Sequence, residues 1–229
     1  MATEKIILPF NGRGDEATAE SVFTRGKHED ISIRGEIYRK LIHLGAIVIP
    51  IGYYFCGLTA SVIVLSFAFM VSLLFDYSRI FGNEKSRSFV KKYFGILIRS
   101  KEEKKPIGST YILAGSLLTI FLFDKPIAIA GITFIIVGDT AGAIIGRLWG
   151  IVKFRAKSLE GSIGFFLACV LASMAIPGIP FWAKVMGAFC ATIVEAITLH
   201  IDDNLIVPIT SAALMQVVVS QMIILKHFS

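Results

Sequence analysis

The chain has 229 residues, of which 55% are hydrophobic and 17% charged, and its net charge is +6. Soluble domains carry about 25% charged residues, so this composition argues against a water-soluble fold. A chain of this length is sufficient for one compact bundle of membrane helices, because each span takes about 20 residues.

Residues 1–35 are polar and contain no apolar run of the length that a cleavable signal sequence needs. We therefore expect a polar N-terminal arm over residues 1–35. A single transmembrane catalytic domain is expected over residues 36–229.

Apolar runs predict an all-α integral membrane protein, a polytopic bundle of about seven transmembrane helices. Between the second and third spans, a basic stretch from Phe89 to Arg99 alternates apolar side chains with lysines at helical spacing. This pattern predicts an interfacial amphipathic helix. The seven predicted spans lie at about 37–56, 58–78, 108–123, 126–146, 159–177, 182–200 and 204–225.

The positive charges predict the orientation of the bundle. Seven lysines and arginines lie in residues 1–40, nine in 79–105 and four in 147–157, which is 20 of the 23 in the chain. Cytoplasmic loops hold such an excess, so the N-terminus and the interfacial helix are expected to be cytoplasmic and the C-terminus to lie on the opposite side. A basic rim explains the net charge without nucleic acid as a partner, and it favours contact with anionic lipids of the bilayer.

A first polar group stands at the start of the first span. Spacings of three, four and seven place Glu36, Arg39, Lys40 and His43 on neighbouring parts of one helix surface. Together they are suited to hold an anionic ligand. The alternative is that Arg39 and Lys40 anchor the helix at the interface and that His43 is an interior histidine with satisfied hydrogen bonds.

A second group lies at the end of the fourth span. Asp139 is embedded in an apolar run, where a charge costs about 2.5–3.5 kcal/mol, so it requires a cation, a metal or a proton. Gly138, Gly142 and Gly146 recur every four residues, which is typical of close helix packing. Packing does not explain Asp139 or Arg147.

A third group opens the fifth span. Ser158 is a candidate N-cap, with Glu160 in the first helical turn. The same helix start, with Lys157, Ser158 and Gly161, also suits a phosphate bound by free backbone N–H groups.

A fourth group combines Glu195, near the end of the sixth span, with Asp202 and Asp203 in the following turn. Such acids are either solvated or cap a helix, or they bind a cation. By the predicted topology all four groups lie on the cytoplasmic face. Carboxylates and cations together there indicate Mg²⁺ and a polyphosphate, because Mg²⁺ is held by one or two carboxylates plus phosphates while Arg and Lys neutralise the remaining charge.

At these residues the sequence resembles the CTP-dependent lipid kinases, the family of dolichol kinase, phytol kinase and fungal-type diacylglycerol kinase, which is related to phosphatidate cytidylyltransferase. The resemblance implies CTP as phosphate donor and a membrane-dissolved alcohol as acceptor. It rests on the motifs Arg39-Lys40-Leu-Ile-His43, Gly138-Asp139-Thr140 leading to Gly146-Arg147, Lys157-Ser158-Leu-Glu160-Gly161-Ser162, and Asp202-Asp203-Asn204-Leu205 followed by Pro208.

The expected reaction is therefore phosphorylation of a polyprenol or dolichol, of phytol or of diacylglycerol. Phosphoryl transfer depends mainly on positioning and charge neutralisation. Asp139 and Asp203 are expected to hold Mg²⁺ with Asp202 and Glu195 nearby, and Glu160 or Asp139 to accept the proton of the alcohol. The expected nucleotide contacts are Arg39, Lys40, Gly146, Arg147, Lys157, Ser158 and Gly161.

Two other functions stay open. A phosphatidate cytidylyltransferase shares several of these motifs, although the C-terminal span lacks the His-Gly-Gly and Asp-Arg elements expected there. A small ion-coupled transporter would use Asp139 and Glu195, but such proteins often show repeated halves, and this sequence has none. A bacterial inner membrane or the endoplasmic reticulum suits this chain, and an oligomer is compatible with it.

Overall fold

The computed structural model describes residues 38–94, 104–154, 157–197 and 201–228, and nearly all of them lie in helices. The fold is that of an all-α membrane protein, as predicted. The polar arm expected over residues 1–35 and the end of the expected interfacial helix, from residue 95 to Arg99, lie outside the described residues.

Helices occur at each of the seven predicted apolar runs. A π-helical segment, Phe134–Gly138, joins the fifth helix to the sixth. Two-residue strands β1 (Lys153–Phe154) and β2 (Lys157–Ser158) pair antiparallel before the seventh helix. The helices are α1 (38–45), α2 (Val48–Phe81), α3 (Glu84–Phe94), α4 (Gly108–Leu122), α5 (Lys125–Thr133), α6 (Asp139–Trp149), α7 (Leu159–Met174), α8 (Phe181–Ile197) and α9 (Asp203–Phe228).

Three helical stretches are long and apolar enough to cross a membrane: Tyr38–Phe81, Lys125–Trp149 and Asp203–Leu225. Helices α4 and α7 are apolar but shorter. These lengths fit a protein embedded in a bilayer, whereas the count of seven crossings stays a prediction. Helix α3 occupies the first part of the expected interfacial helix and buries Val90.

Helix α2 is broken at Gly57, which divides it into a first arm (48–56) and a second arm (58–81). Gly57 has φ 77° and ψ −174°, a conformation that glycine adopts without steric cost. Near the end of the first arm, the Tyr54 carbonyl accepts a 2.9 Å hydrogen bond from Lys125, just after α4. Near the end of the second arm, Asp76 accepts a 3.2 Å hydrogen bond from the Ile107 N–H, just before α4. The two arms therefore run in opposite directions along α4, as expected for the two separate spans predicted at 37–56 and 58–78.

The stretch from α5 to α6 forms the centre of the bundle. In its most apolar part 61% of the residues are buried, against 11% for the stretch that contains α1 and α2. The fully buried side chains of this central stretch contact a core built mainly from α7, α8 and α9. They include Ile132, Phe134, Ile135 and Ile136.

The repeated glycines of α6 pack against α7, which confirms the packing interpretation. A Cβ atom at Gly142 would lie 3.1 Å from the Gly161 carbonyl oxygen, and one at Gly146 would lie 2.9 Å from Ser158 Oγ. A Cβ atom at Gly138 would lie 2.7 Å from a buried cysteine sulfur. Glycine is thus needed for the two helix backbones to approach this closely.

A buried ion pair that the sequence analysis did not single out fixes the second arm of α2 to the start of α4. Arg79 Nη2 lies 2.9 Å from Asp76 Oδ1 and also donates to the carbonyl of Lys105. The other carboxylate oxygen of Asp76 accepts from the Ile107 N–H and, at 2.6 Å, from the Thr110 hydroxyl. Asp76 thereby satisfies donors at the N-terminus of α4 that have no partner within that helix.

Candidate active site

Asp139, the first residue of α6, lies against two side chains of α1. Lys40 Nζ forms an ion pair with Asp139 Oδ2 and donates to the Asp139 carbonyl oxygen at 3.2 Å. His43 Nε2 lies 3.6 Å from the same carboxylate oxygen and donates to the Ile135 carbonyl at 3.2 Å. Asp139, predicted to require a cation, a metal or a proton, has a cation in Lys40. His43 joins the group beside Lys40, as their spacing on one helix surface predicted.

The π-helical segment directly before Asp139 positions this residue. In a π-turn the backbone loses its regular i to i+4 hydrogen bonds, and such turns occur often at functional sites. Here side chains from other helices donate to two of its carbonyls: His43 to Ile135, and Cys169 Sγ to Phe134 at 3.4 Å. The wider turn changes the direction in which α6 starts, and Asp139 consequently contacts α1.

A second ion-paired group lies where the start of α7, the end of α8 and the start of α9 meet. Lys157 Nζ is 2.5 Å from Glu195 Oε1, 2.5 Å from the Glu195 carbonyl oxygen and 3.6 Å from Asp203 Oδ2. Lys157 also interacts electrostatically with Asp139, and Glu195 with both aspartates. The two groups therefore form one polar cluster, in which lysines stand between carboxylates.

Two helix N-termini contribute to this cluster. Ser158 Oγ accepts a 3.1 Å hydrogen bond from the Gly161 N–H, which confirms Ser158 as the N-cap of α7. Asp202 Oδ1 accepts a 3.1 Å hydrogen bond from the Asn204 N–H at the start of α9. The positive ends of α7 and α9 adjoin Lys157 and Asp203, and such ends favour bound anions.

Other predicted residues lie beside the cluster rather than in it. Glu160 Oε1 accepts a 3.1 Å hydrogen bond from the Val152 N–H and so holds the loop before β1. Arg147 is exposed in the last turn of α6, eight residues or about 12 Å along the helix from Asp139. Gly146 lies in the contact between α6 and α7, as does Gly161.

A cavity of about 660 Å³ opens from the polar cluster. It lies between α1, both arms of α2 and α4, and most of its lining is apolar or consists of small side chains. Its volume is within the range of about 300–1,000 Å³ that small-molecule sites occupy. The charged and amide-bearing side chains of the lining all come from α1, the start of α6 and the start of α9: Arg39, Lys40, His43, Asp139, Asp202, Asp203 and Asn204.

The donor set at this end of the cavity suits Mg²⁺ only if phosphates complete its coordination. Within the described ranges, no three side chains of His, Cys, Asp or Glu converge as ligands of one ion. Asp202 and Asp203 are nevertheless neighbours in the chain, and both line the cavity. Mg²⁺ usually binds through one or two carboxylates together with substrate phosphates, so these residues fit a metal that arrives with a polyphosphate.

Similar proteins exist in bacteria, fungi and plants. The chain is 30% identical over 194 residues to an uncharacterised protein of Rickettsia prowazekii, covering 80% of this chain and 94% of that protein. It is 27% identical over 210 residues to the protein named CTP-dependent diacylglycerol kinase 1 of Schizosaccharomyces pombe, covering 82% and 95%. Over 132 residues it is 30% identical to the probable chloroplastic phytol kinase of Zea mays, covering 48% and 43%. No family model and no solved structure matches the chain.

Proposed function

Because the chain belongs to the family of CTP-dependent lipid kinases, phosphotransferases with an alcohol group as acceptor, we propose that it transfers the γ-phosphate of CTP to a membrane lipid alcohol at the cytoplasmic face. One observation links the proposal to specific residues of the chain. Asp139, paired with Lys40, lies where a cluster of charges meets an otherwise apolar cavity. Such a boundary brings a water-soluble donor and a lipid acceptor together.

The triphosphate of CTP binds at the cationic part of the cluster. Phosphoryl transfer asks the protein mainly for positioning and for neutralisation of charge. Lys40 and Lys157 supply two ammonium groups, Arg39 supplies a guanidinium at the cavity wall, and the N-termini of α7 and α9 add partial positive charge. Arg147, exposed at the end of α6, is a contact for the outer part of the nucleotide.

The acceptor hydroxyl meets Asp139, which takes its proton as the oxygen attacks the γ-phosphorus and CDP leaves. A general base must be within hydrogen-bond reach of the proton that it removes. Asp139 lines the cavity that would admit the hydroxyl, whereas Glu160 accepts a hydrogen bond from the Val152 backbone. When the phosphates bind, Lys40 moves its hydrogen bonds from Asp139 to phosphate oxygens, which frees the carboxylate.

Asp203 and Asp202 would hold Mg²⁺ beside the phosphates. The ion, when bound, neutralises charge that develops on the phosphate oxygens. Glu195 acts indirectly, by positioning Lys157. Its carboxylate and its carbonyl oxygen both contact the Lys157 ammonium group.

The basic rim supports a site on the cytoplasmic side, where CTP is available, of a bacterial inner membrane or of the endoplasmic reticulum. Lys40 and Lys157 belong to the 20 lysines and arginines that predict this orientation. The same residues thus serve topology and nucleotide binding.

The test uses purified protein in detergent with Mg²⁺, CTP or ATP, and a panel of diacylglycerol, phytol and dolichol. We expect CDP and one lipid monophosphate, detected by mass spectrometry, with CTP as the better donor. Asp139→Asn should abolish this product. Asp124→Asn is the matched control, because Asp124 lies outside the cluster and bonds to Gln216.

Two other results would contradict the proposal. Pyrophosphate together with a cytidine-containing lipid, formed from phosphatidate, would indicate a cytidylyltransferase. Absence of turnover with either nucleotide and every acceptor, in protein that is folded, would favour transport.

A further inference from the structure

The apolar part of the cavity extends far from the polar cluster. Its lining includes His43 on α1 and continues along the first arm of α2 to Cys56, beside the break at Gly57. From Val48 to Cys56 the first arm advances about 12 Å at 1.5 Å per residue, and His43 on α1 extends the lining further toward the polar cluster. One leaflet of a bilayer contributes about 15 Å of hydrocarbon, so the depth of the cavity is comparable to one leaflet.

Small side chains line the deep part of the cavity. Gly52 and Cys56 come from the first arm of α2, and Ala60 from the second. A Cβ atom at Gly52 would have no other atom within 4 Å, and Cys56 is exposed. The space beside these three residues is therefore open, and a larger side chain at any of them would occupy part of it.

From this geometry we infer that the cavity holds one hydrocarbon chain of the acceptor, and that Gly52, Cys56 and Ala60 set the length of chain that fits. The inference rests on the proposed function. It names the acceptor class as alcohols with a chain of about leaflet length, such as an acylglycerol. An apolar wall favours an apolar occupant, and the continuity of that wall with Asp139 places the hydroxyl end of the occupant at the proposed base. A second chain, where the acceptor has one, lies outside in the bilayer.

The first test changes the depth of the cavity. Wild-type protein and Gly52→Leu are assayed with dioctanoylglycerol and dioleoylglycerol in mixed micelles. Gly52→Leu should reduce kcat/KM for the long-chain acceptor by about tenfold or more, and should leave the short-chain value nearly unchanged. Ala60→Leu, deeper in the cavity, should spare chains of intermediate length that Gly52→Leu excludes.

Phe55→Trp is the matched control. Phe55 precedes Cys56 on the same arm, but its side chain is 78% exposed and is absent from the cavity lining. The change enlarges a side chain on the outer surface, so it should affect kcat/KM for short-chain and long-chain acceptors equally. Equal losses of kcat/KM for short-chain and long-chain acceptors in Gly52→Leu and Ala60→Leu would overturn the inference. They would not contradict the proposed kinase function. Failure of the wild-type protein to phosphorylate any alcohol would instead overturn the proposed function.

The second test needs no variant and so does not depend on how a substitution affects folding. A long-chain acceptor with a diazirine at the end of its chain is photolysed with wild-type protein, and the labelled peptides are sequenced by mass spectrometry. Label within residues 49–68, competed by dioleoylglycerol, is the expected result. Label only on other helices, or label that dioleoylglycerol does not reduce, would overturn the inference.

Discussion

Replacement of Lys157 by methionine removes the counter-ion of Glu195. Lys157 Nζ lies 2.5 Å from the Glu195 carboxylate and 2.5 Å from its carbonyl oxygen, and methionine keeps the apolar stem without the charge. The Glu195 side chain is only 9% exposed, so water does not replace the lost ammonium group. The variant therefore leaves a mostly buried carboxylate without its counter-ion, near two other carboxylates.

The size of the effect follows from the burial of the two partners. Removing one partner of a fully buried ion pair costs about 3–5 kcal/mol. The Lys157 side chain is 33% exposed, which places this pair somewhat below that range, at about 2–4 kcal/mol. For a chain of this size each kcal/mol corresponds to about 2–4 °C, so we expect the melting temperature to fall by about 4–16 °C.

The assay compares Lys157→Met, Glu195→Gln and the double variant by thermal unfolding in detergent. A neutral glutamine removes the buried charge, so the double variant should recover most of the stability, with a coupling free energy of at least about 1 kcal/mol. Because Lys157 also binds the triphosphate in the proposed mechanism, the KM for CTP should stay raised in the double variant. A Lys157→Met protein as stable as wild type, or a coupling free energy near zero, would refute the ion pair. Full recovery of the KM would remove Lys157 from the nucleotide site.

Three further substitutions test the site and its support. Asp139→Asn should lower CTP-dependent turnover at least about 100-fold, the loss expected for a general base, and turnover within twofold of wild type would exclude that role. Gly138→Ala would bring its Cβ to 2.7 Å from a buried cysteine sulfur and should destabilise the protein by about 1–3 kcal/mol on thermal unfolding. Gly45→Ala is the control, because a Cβ atom at Gly45 would have no other atom within 4 Å, and it should not destabilise the protein. Equal losses of stability in the two variants would contradict the packing argument. Asp76→Asn should cost about 3–5 kcal/mol, because the carboxylate is 3% exposed and pairs with buried Arg79, and a loss below about 0.5 kcal/mol would argue against that ion pair.

The helical segments could be predicted from the sequence because long apolar runs in a membrane protein satisfy their backbone hydrogen bonds internally. The break at Gly57 falls between the predicted spans 37–56 and 58–78, and glycine there adopts a positive φ without steric cost. The close approach of α6 and α7 followed in the same way from glycines four residues apart.

The direction in which Asp139 points could not be predicted. It depends on the π-helical segment Phe134–Gly138, whose carbonyls receive hydrogen bonds from His43 and Cys169 on distant parts of the chain. No local pattern in an apolar run distinguishes a π-turn from an α-turn. The position of His43 in a motif with Lys40 was the one available signal.

The spacing of residues along the chain also could not distinguish helix-capping residues from residues that bind a phosphate or a metal. Ser158 and Asp202 match both roles. Their hydrogen bonds to Gly161 and Asn204 show the capping role, and the metal-binding role of Asp202 stays a proposal. The buried Asp76 was missed because it lies near the end of an apolar run, where a charge is ordinary. A spacing of three to Arg79 was the signal that could have identified the pair.

The proposed transfer of the terminal phosphate of CTP to a lipid alcohol is tested most directly by the fate of two labels. Wild-type protein in mixed micelles is given Mg²⁺, dioleoylglycerol and CTP labelled at either the γ- or the α-phosphate. We predict that γ-label enters the lipid as phosphatidate while α-label stays in CDP. Lipid that carries α-label, or lipid that carries neither label in folded protein, would contradict the account.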